Sequence, residues 1–538
     1  MILPIVKQSN LSGKPVSFPC VTVQRTSGDA QKGAEAFCLL CEAAQMTDDQ
    51  AVVSFAYDET LCDQPEIYRV TVKQESLTIG FRDVRGAING AATAALLLRK
   101  EQLTEGEILD WPDCTFRSFL IDMARGLPEQ EKLKETICYM ALGKYNRLHL
   151  HLTDSKGPCY QSEVLPEYHA EDDWKLCTRN DLRELVELCS KFAIEVIPEI
   201  ELITHTKTFC KVYPQFVCDA EDADDWEVCP GNEDVWGIFE KLLGEIVEMF
   251  PESEYIHLGA DELEFADLQG PGRRICHWDV CKRCEELRRR EGLNGRQEQI
   301  YYVINRLHEM VKAHGKKMIM WNDQIDISGD VPLSREILMQ FWRIAAPGRG
   351  PYEGCSMAKF LEKGFQVINS YYPYTYMEMD QHLHEEKLKS WSPLTQPEFS
   401  QEYAAGVVGG EMCAWEFGNK TDYPYINYVT PPALGIFADC LWNFGSRAYD
   451  VAFKTALAEF VFGHACENDV FACTGTMIPP RSKERYTNAE AEALSPEMLD
   501  ACIAELTSKK HGWTAPTSEE FVKLLGMIRA SLEENKNA

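Results

Sequence analysis

The chain has 538 residues, of which 45% are hydrophobic and 26% charged, and its formal net charge is −31. This length exceeds what a single hydrophobic core supports, so we expect two or three domains in an ordinary soluble globular protein. The negative charge disfavours binding to nucleic acid or to an anionic membrane surface by bulk electrostatics.

The cysteines and the apolar runs bear on location. The 21 cysteines are an odd number and are not spaced like a disulfide framework. No apolar run approaches the length of a membrane span, and the first residues, MILPIVKQSNLSGKP, lack a long apolar core and a cleavage site. We therefore expect a protein of the reducing cytoplasm, in which the sequons at Asn10 and Asn419 carry no sugar.

Residues 1–113 are predicted to form a small α/β domain. Tyr68 to Val72 and Leu77 to Phe81 alternate between apolar and polar residues like paired strands. The stretch RDVRGAINGAATAALLLRK then has the composition of a helix, rich in alanine and leucine. Pro112 marks a plausible domain boundary, and the domain contains no recognisable chemistry.

From Phe116 onward, short apolar runs alternate with helical stretches. The predicted strands are FRSFLIDMA, RLHLHLTD, EVIPEIEL, YIHLGADE, KMIMWNDQ, EILMQFWR, FQVINSYY and GVVGGEMCAW. Helical spacing is clearest at Leu133, Ile137, Met140 and Ala141, and again between Ile300 and Val311. Eight such units predict a (β/α)8 TIM barrel over residues 114–445. An open doubly wound sheet is the alternative, but no glycine-rich phosphate turn follows the first strand.

Residues 446–538 are predicted to form a helical C-terminal region. VAFKTALAEFVF and EEFVKLLGMIRASL are its two helical segments, and neither contains a motif. We expect this region to cover the flank of the barrel.

Polar and aromatic residues gather at or just after the ends of the predicted strands. They are Asp122, Arg125, Asp154, Glu201, His205, Asp261, Glu262, Trp321, Asp323, Trp342, Tyr376, Trp415 and Glu416. A TIM barrel brings the carboxyl ends of all its strands to one face, where active sites are built. The pattern therefore predicts an active site on that face.

The stretch YIHLGADE, residues 255–262, is the strongest candidate for its centre. A short apolar strand is followed by Gly259 and Ala260 and then by two adjacent carboxylates, Asp261 and Glu262. Successive side chains of a strand point to opposite faces, so both carboxylates can serve one pocket only if the chain leaves the strand here. A strand that ends in a solvated acidic turn is the alternative.

In these motifs the chain resembles glycoside hydrolase family 20, the β-N-acetylhexosaminidases. The resemblance rests on FLIDMARG, NRLHLHLTDSKG, EVIPEIELITH, YIHLGADE, MWNDQ, MQFW and CAWE, which occur in the order found in that family. Residues 1–113 also resemble the small domain that precedes the barrel in this family. The resemblance implies exo-acting hydrolysis of terminal GlcNAc or GalNAc β-glycosides, with no cofactor.

The resemblance also implies a mechanism for the two carboxylates. Glu262 would be the general acid that protonates the leaving oxygen and later the base that activates water. Asp261 would accept a hydrogen bond from the N–H of the sugar's 2-acetamido group and so orient the acetamido oxygen toward C1. Attack by this tethered oxygen is intramolecular and retains the anomeric configuration.

Further roles follow from the resemblance in the same way. Arg125 resembles an arginine that binds sugar hydroxyls, and its alternative role is an ion pair with Asp122. Asp154 and His205 resemble a relay that orients the acid, and Glu201 stands where the family more often has aspartate. A purely structural role is the alternative for His205.

The predicted sugar-binding walls are aromatic. Trp321, Trp342 and Trp415 resemble the rings that enclose the acetamido methyl group and stack on the sugar, although any single tryptophan could equally belong to the core. Tyr376 resembles a tyrosine that donates to the acetamido carbonyl and would stabilise developing charge. Glu378 and Glu416 are further candidate substrate-binding residues.

Three positions depart from the family pattern. Ala260 replaces the second of two glycines before the Asp-Glu pair. Glu378 stands where an aspartate is common, with Asp380 beyond it. The acid expected two residues after Trp415 is replaced by Phe417, while Glu416 is adjacent. These departures leave open the preference between GlcNAc and GalNAc and the tolerance of a 6-substituent.

The segment CHWDVCKRC supplies Cys276, His277, Cys281 and Cys284, which could hold a structural zinc ion. The second Cys-x-x-Cys pair of a typical zinc site is absent nearby, so the sequence favours plain reduced cysteines and no metal.

Three other functions stay open at this point: a catalytically inactive carbohydrate-binding barrel, a metal-dependent barrel enzyme, and a retaining glycosidase with two protein carboxylates about 5 Å apart. The first predicts loss of the acid, whereas Glu262 is present. The second predicts several converging ligands, whereas His205 is accompanied only by scattered acids. For the third, Asp154 and Glu201 are candidate carboxylates.

Overall fold

The computed structural model describes thirteen stretches of the chain. They are residues 1–41, 43–100, 102–169, 176–220, 227–263, 265–266, 273–274, 276–344, 356–377, 391–395, 401–415, 426–444 and 451–462.

The N-terminal part is a seven-stranded mixed sheet with two helices. Its strands are β1 (Gln8–Val16), β2 (Val21–Gln24), β3 (Ala44–Thr47), β4 (Val53–Tyr57), β5 (Tyr68–Lys73), β6 (Ser76–Phe81) and β7 (Leu103–Asp110). The spatial order is β1-β7-β5-β6-β4-β2-β3. The predicted strand pair is confirmed as the antiparallel hairpin β5–β6, in which Tyr68 lies opposite Phe81.

The two helices of this part are α1 (Gly28–Leu40) and α2 (Val84–Leu98). The predicted alanine-rich helix is confirmed as α2, whose first turn is capped by the side chain of Asp83 accepting from the N–H of Gly86. Most of α2 is buried, because its small side chains let it lie close against β5 and β6.

Eight parallel strands form the predicted closed barrel. They are β8 (Phe116–Asp122), β9 (Arg147–His151), β12 (Glu195–Glu199), β13 (Tyr255–His257), β16 (Lys317–Trp321), β17 (Leu338–Phe341), β18 (Val367–Asn369) and β20 (Val407–Ala414). The remaining short strands are β10 (Thr153–Asp154), β11 (Gly157–Pro158), β14 (Phe265–Ala266), β15 (Arg273–Arg274) and β19 (Tyr376–Met377). Each barrel strand pairs with its predecessor, and β20 pairs with both β18 and β8, which closes the barrel. The open-sheet alternative is therefore wrong.

Helices surround the barrel. They are α3 (Gln130–Leu142), α4 (Arg179–Lys191), α5 (Lys207–Val212), α6 (Asp234–Met249), α7 (Lys282–Glu291), α8 (Arg296–Ala313), α9 (Met357–Glu362), α10 (Tyr372–Thr375), α11 (Ile426–Trp442) and α12 (Val451–Phe462). The predicted apolar faces are confirmed, since Leu133 and Ile137 of α3 and Ile300 and Val311 of α8 are buried.

The fifth barrel unit departs from the expected alternation. Residues 322–337, all described, connect β16 to β17 without an α-helix. Asp326, Ser328, Gly329 and Pro332 favour turns rather than a helix in this stretch, and the side chain of Asp326 accepts from the N–H of Ser328.

Buried charges join the N-terminal sheet to the barrel. The ammonium of Lys144, which follows α3, lies 2.9 Å from a carboxylate oxygen of Asp110 in β7, and both side chains are fully buried. Arg117 of β8 pairs in the same way with Glu66. Because removing one partner of such a pair leaves an uncompensated buried charge, these contacts fix the two parts against each other.

Of the predicted C-terminal region, only α12 is described, and residues 463–538 lie outside the described part. None of the helices in the described stretches combines the length and the hydropathy of a transmembrane segment.

Candidate active site

The chain leaves the strand immediately before the Asp-Glu pair, as the side-chain geometry requires. Strand β13 ends at His257, and Gly259, Ala260 and Glu262 then adopt left-handed backbone conformations with φ of 59°, 69° and 53°. Left-handed conformations are unfavourable for residues with a Cβ and tend to persist at functional sites. The turn lets both Asp261 and Glu262 approach His205. The alternative of a solvated acidic turn is therefore wrong.

The backbone of Gly259 lies so close to the side chain of Glu201 that only a glycine fits at this position. A Cβ at this position would lie 1.9 Å from a carboxylate oxygen of Glu201. Glu201 also accepts a hydrogen bond from the N–H of Ala260, at 3.3 Å. Glu201 therefore supports the turn from the neighbouring strand.

His205 connects the two candidate catalytic carboxylates. Its Nε2 lies 3.4 Å from Oδ2 of Asp261 and 3.5 Å from Oε2 of Glu262. One ring nitrogen of His205 and one oxygen of each acid all lie within 4.8 Å of one another. The side chains of Asp261 and Glu262 remain 16% and 22% exposed, so both can reach a ligand in the mouth of the barrel.

The other side of His205 faces Asp154. The Nδ1 of His205 lies 3.3 Å from Oδ2 of Asp154, and this oxygen is also 3.1 Å from Nε2 of His151. Asp154, His205 and the two acids therefore form one continuous chain of contacts. His205 itself has a left-handed backbone, with φ of 52°.

Arg125 takes part in the same network. Its guanidinium lies 2.9 Å from Asp122 and 2.6 Å from Asp154, and it stacks over the ring of Trp415 at 5.3 Å. The ion pair with Asp122, which was the alternative role for Arg125, is thus present. Arg125 also lies beside the candidate residues Asp154 and Trp415.

The predicted aromatic residues come together next to the acids. The rings of Trp342 and Tyr376 are stacked at 5.9 Å, and Trp415 lies 5.6 Å from Tyr376 and 5.9 Å from Trp321. Trp342 and Trp415 are partly exposed, whereas Trp321 is 1% exposed. Trp321 therefore supports the other rings from the core and donates its indole N–H to Glu199 at 2.8 Å.

Two further residues hold the acids. Asp323 was among the polar residues expected at the strand ends but had no predicted role, and Arg343 was not part of the predicted site. Asp323 accepts from the backbone N–H of Glu262 at 3.1 Å and from the indole N–H of Trp342 at 3.1 Å. Arg343 lies 2.8 Å from Asp323 and 3.8 Å from Glu262. Both follow a barrel strand directly, which was the available signal, but only the folded chain brings them to Glu262.

A buried carboxylate, Glu199, lies beneath this layer and was likewise missed. It lies 2.6 Å from Nδ1 of His151 and 2.9 Å from Nδ1 of His257, in addition to the contact with Trp321. Both histidines are buried. Burial raises the pKa of Glu199, but the electrostatic attraction of the surrounding histidines outweighs burial and holds this pKa well below its usual value. Glu199 thus supports His151 and Trp321 from the barrel interior.

The charges in the relay are fixed by mutual attraction. Burial lowers the pKa of His205, but Asp261 and Asp154 outweigh burial and raise it well above its usual value. Burial raises the pKa of Asp261, but His205 outweighs this and the net pKa is lowered. Arg125 and His205 likewise hold the pKa of Asp154 well below its usual value against burial. Near neutral pH, the relay therefore consists of an imidazolium between two carboxylates.

The pKa of Glu201 is shifted in the opposite direction to those of Asp261 and Asp154. Burial, reinforced by the negative charge of Asp261, raises the pKa of Glu201 well above its usual value. Its pKa is thus higher in the folded than in the unfolded protein. Such a group contributes stability below its unfolded pKa of about 4.3, and this contribution is lost as the pH rises through the folded pKa.

Glu201→Gln should therefore become progressively more stable than the parent protein as the pH rises from 4 to 8. The amide oxygen can still accept from the N–H of Ala260 and from the hydroxyl of Thr204. Thermal melting across this pH range measures the difference, and Glu187→Gln, which removes an exposed acid from α4, is the matched control. A difference in melting temperature that does not change with pH would contradict the raised pKa of Glu201 in the folded protein.

Two of the predicted substrate-binding residues, Glu378 and Glu416, lie outside the described residues. Asp380 and Phe417, which bear on the choice of sugar, lie there as well.

Among the described residues, three groups of histidines and acids have ligand atoms close enough to hold a metal. They are His149 with Glu199 and His257, His151 with Glu199 and Glu201, and His205 with Asp261 and Glu262. In the first group, His149 lies 3.0 Å from Glu411. Burial lowers the pKa of His149, but the attraction of Glu411 and Glu199 outweighs burial and raises this pKa to about 9. In the second and third groups, the pKa values of His151 and His205 are raised as well, and a protonated ring is not a metal ligand. We therefore assign these groups to charge networks.

Comparison with known proteins agrees with this geometry. Residues 114–444 match the catalytic domain of glycosyl hydrolase family 20. A beta-hexosaminidase of Akkermansia muciniphila is 28% identical over 304 residues, which cover 52% of this chain and 58% of that protein. A beta-hexosaminidase of Porphyromonas gingivalis is 27% identical over 298 residues, which cover 50% of this chain and 37% of that protein. The chain thus spans less than two thirds of the length of either relative.

A solved structure shares the fold. The exo-beta-N-acetylglucosaminidase of Vibrio harveyi, in complex with N-acetylglucosamine, superposes with a TM-score of 0.69 at 20% identity, covering 83% of this chain and 74% of the other. The family match spans more than half of the chain, and its motifs form one connected site at the carboxyl ends of the barrel strands. The chain therefore belongs to glycosyl hydrolase family 20.

Proposed function

We propose that the protein is an exo-acting β-N-acetylhexosaminidase, which removes terminal GlcNAc or GalNAc from β-glycosides with retention of configuration. The nucleophile is the oxygen of the substrate's own 2-acetamido group. The two curated relatives described above carry the name beta-hexosaminidase, which supports the same substrate class. Small glycans or glycoconjugates are the expected substrates, and the cytoplasmic location stays a prediction from the cysteine content.

One observation carries the proposal. The Oδ1 of Asp261 is buried and has no hydrogen-bond partner among the described residues, while Oδ2 faces His205. A buried acceptor without a partner is costly unless a ligand supplies a donor. The N–H of an acetamido group is such a donor. When Asp261 accepts it, the acetamido oxygen points away from Asp261 and toward the anomeric carbon.

Charge makes Asp261 suitable for this role. Attack by the acetamido oxygen produces a cationic five-membered ring, an oxazolinium ion, and the proton on its nitrogen becomes more acidic as the charge develops. The lowered pKa of Asp261 keeps a negative charge beside that nitrogen. The interaction therefore strengthens in the transition state, which is the condition for catalysis.

Glu262 is the proposed proton donor. Its side chain is partly exposed at the mouth of the barrel and is held by His205 and Arg343. The hydrogen bond from its backbone N–H to Asp323 fixes the left-handed turn on which it sits. Glu262 first gives its proton to the leaving oxygen and then takes a proton from the water that opens the oxazolinium ring.

Aromatic rings complete the proposed binding site. Tyr376 contacts both Trp342 and Trp415, and Trp321 supports Trp415 from behind. Such a wall suits the apolar face of a sugar ring and an acetamido methyl group. The phenol of Tyr376 is the proposed donor to the acetamido carbonyl, and Arg125, beside Trp415, is the proposed ligand of the sugar hydroxyls.

Product analysis tests the proposal. The purified protein is incubated with aryl β-N-acetylglucosaminide and aryl β-N-acetylgalactosaminide, and proton NMR identifies the anomer that is released first. We expect release of the aryl group and the β-anomer of the free sugar, with the ratio of the two rates defining the sugar preference. Release of the α-anomer, or failure to cleave either substrate, would contradict the proposal.

A further inference from the structure

Four cysteines from two distant parts of the chain form a compact cluster outside the candidate active site. They are Cys218 and Cys229, which lie on the connection between α5 and α6, and Cys281 and Cys284 at the start of α7. All four are buried free thiols. The cluster differs from the set that the sequence suggested. Cys276 is not part of it, and His277 pairs with Glu227 at 2.7 Å instead.

The distances between the sulfur atoms are those of a tetrahedron around one metal ion. Cys229 lies 3.6 Å from Cys281 and 3.7 Å from Cys284, Cys218 lies 4.0 Å from Cys284, and all four sulfurs lie within 4.8 Å of one another. Four sulfurs at about 2.3 Å from a central zinc are about 3.8 Å apart in a regular tetrahedron. A disulfide needs sulfurs about 2.05 Å apart, and none of these three pairs is near that distance.

We propose that these four cysteines bind a structural zinc ion. Four protein thiolates leave no open position for water or substrate, which is the arrangement of structural rather than catalytic zinc sites. Zinc also explains why four thiols are gathered in one buried place, where a cluster of uncoordinated thiols has no evident structural purpose.

The surrounding backbone is arranged as a rigid support for the site. Val217 and Val228 form an antiparallel bridge, which brings the adjacent Cys218 and Cys229 together. Gly231 lies so close to α7 that a Cβ there would be 2.4 Å from the carbonyl of Arg283. The guanidinium of Arg283 donates to the carbonyls of Gln215 and Val217. Both halves of the cluster are thus held by contacts that do not involve sulfur.

The N-terminus of α7 stabilises the negative charge that cysteine thiolates bring to the site. Cys281 is the N-cap of α7 and Cys284 lies in its first turn, where the helix dipole stabilises negative charge. The sulfur of Cys281 lies 2.7 Å from Oδ1 of Asp219, and the same oxygen accepts from the N–H of Arg283 at 3.4 Å. Zinc binding would release the thiol protons.

The cysteine cluster lies between the two connections that carry His205 and the Asp-Glu pair. Cys218 and Cys229 lie on the connection that follows β12 and contains His205, whereas Cys281 and Cys284 follow β13 and the Asp-Glu pair. The N–H of Val228 donates to the carbonyl of Ile203, two residues before His205, at 3.0 Å. The zinc ion would therefore join the two connections that present the relay and the acids.

Metal analysis tests the proposal. The full chain is purified without a polyhistidine tag, and its metal content is measured by inductively coupled plasma mass spectrometry. We expect one zinc per chain, released in equal amount when a mercurial reagent titrates the thiols. Protein that contains iron in place of zinc, no metal, or disulfides among the four cysteines would overturn the assignment.

Variants locate the site. Cys229→Ser and Cys284→Ser should lose zinc and melt at a lower temperature, whereas Cys276→Ser should keep one zinc per chain. Cys276 is the matched control, because it is equally buried in the same segment but lies outside the cluster. If the serine variants do not fold, cobalt exchanged into the parent protein gives the answer, since four thiolates produce intense thiolate-to-cobalt charge-transfer and tetrahedral d–d bands. Cobalt protein without these bands, or a control that loses zinc as well, would refute the site.

Discussion

Glu262→Gln is expected to lower the turnover of an aryl β-N-acetylglucosaminide by about 100-fold or more, because glutamine cannot donate the proton that the leaving oxygen needs. Gln has the shape of Glu and keeps the backbone hydrogen bond to Asp323, so the fold should be preserved. Steady-state kinetics measures the loss, and the thermal melting curve verifies the fold. Glu254→Gln, an exposed acid before the same strand, is the control that should leave the rate unchanged.

Comparing substrates with different leaving groups makes this test specific for general acid catalysis. A dinitrophenolate leaves readily without protonation, whereas a phenol of high pKa does not. Glu262→Gln should therefore lose much less activity on the dinitrophenyl glycoside than on the phenyl glycoside. An equal loss on both substrates would show that Glu262 does not act as the general acid.

Asp261→Asn is expected to lower the turnover of acetamido substrates by about 100-fold to 1,000-fold. The asparagine oxygen can still accept from the acetamido N–H, but the negative charge that stabilises the cationic intermediate is removed. Because the interaction strengthens in the transition state, most of the loss should appear in kcat rather than in KM. Steady-state kinetics separates the two parameters. Asp63→Asn is the control, because Asp63 is an exposed acid on the connection between β4 and β5.

The two acids should differ in how their loss depends on the leaving group. Asp261 acts on the acetamido group and not on the departing oxygen, so Asp261→Asn should lose a similar factor on the phenyl and the dinitrophenyl glycosides. A loss that disappears with the dinitrophenyl leaving group would place Asp261, rather than Glu262, at the leaving oxygen and would reverse the two roles.

The barrel could be predicted from the sequence because each strand is a short, largely apolar run with polar or aromatic residues at or just after its end. The eight runs are the eight barrel strands, and the left-handed turn after His257 was required by the need to bring Asp261 and Glu262 to one side. The missing helix between β16 and β17 was not predicted, because alternation in the neighbouring units was extended to a stretch whose turn-forming residues oppose it.

The supporting residues of the site were harder to predict because their contacts join distant parts of the chain. Asp323 accepts from the backbone of Glu262, 61 residues away, and Trp321 donates to Glu199 across 122 residues. Nothing local in the sequence marks Glu199, since it is one carboxylate in the acidic stretch EVIPEIEL. Its importance arises from the low-dielectric barrel interior, where His151 and His257 surround it.

The cysteine cluster illustrates the same limit. The Cys-x-x-Cys pair at Cys281 was visible in the sequence, but its partners Cys218 and Cys229 are separated from it by 52 residues or more and follow a different strand. The structure groups Cys281 and Cys284 with these two residues and not with the nearer Cys276 and His277. Barrel topology places the connections after β12 and β13 side by side, and this proximity brings the four thiols together.

The measurement that tests the central claim most directly compares phenyl β-N-acetylglucosaminide with the matching phenyl β-glucoside, whose 2-hydroxyl replaces the acetamido group. If the substrate supplies the nucleophile and Asp261 orients it, hydrolysis of the acetamido sugar should be fast and that of the plain glucoside barely detectable. Cleavage of both sugars at similar rates would mean that a protein group supplies the nucleophile, and the account given for Asp261 would be wrong.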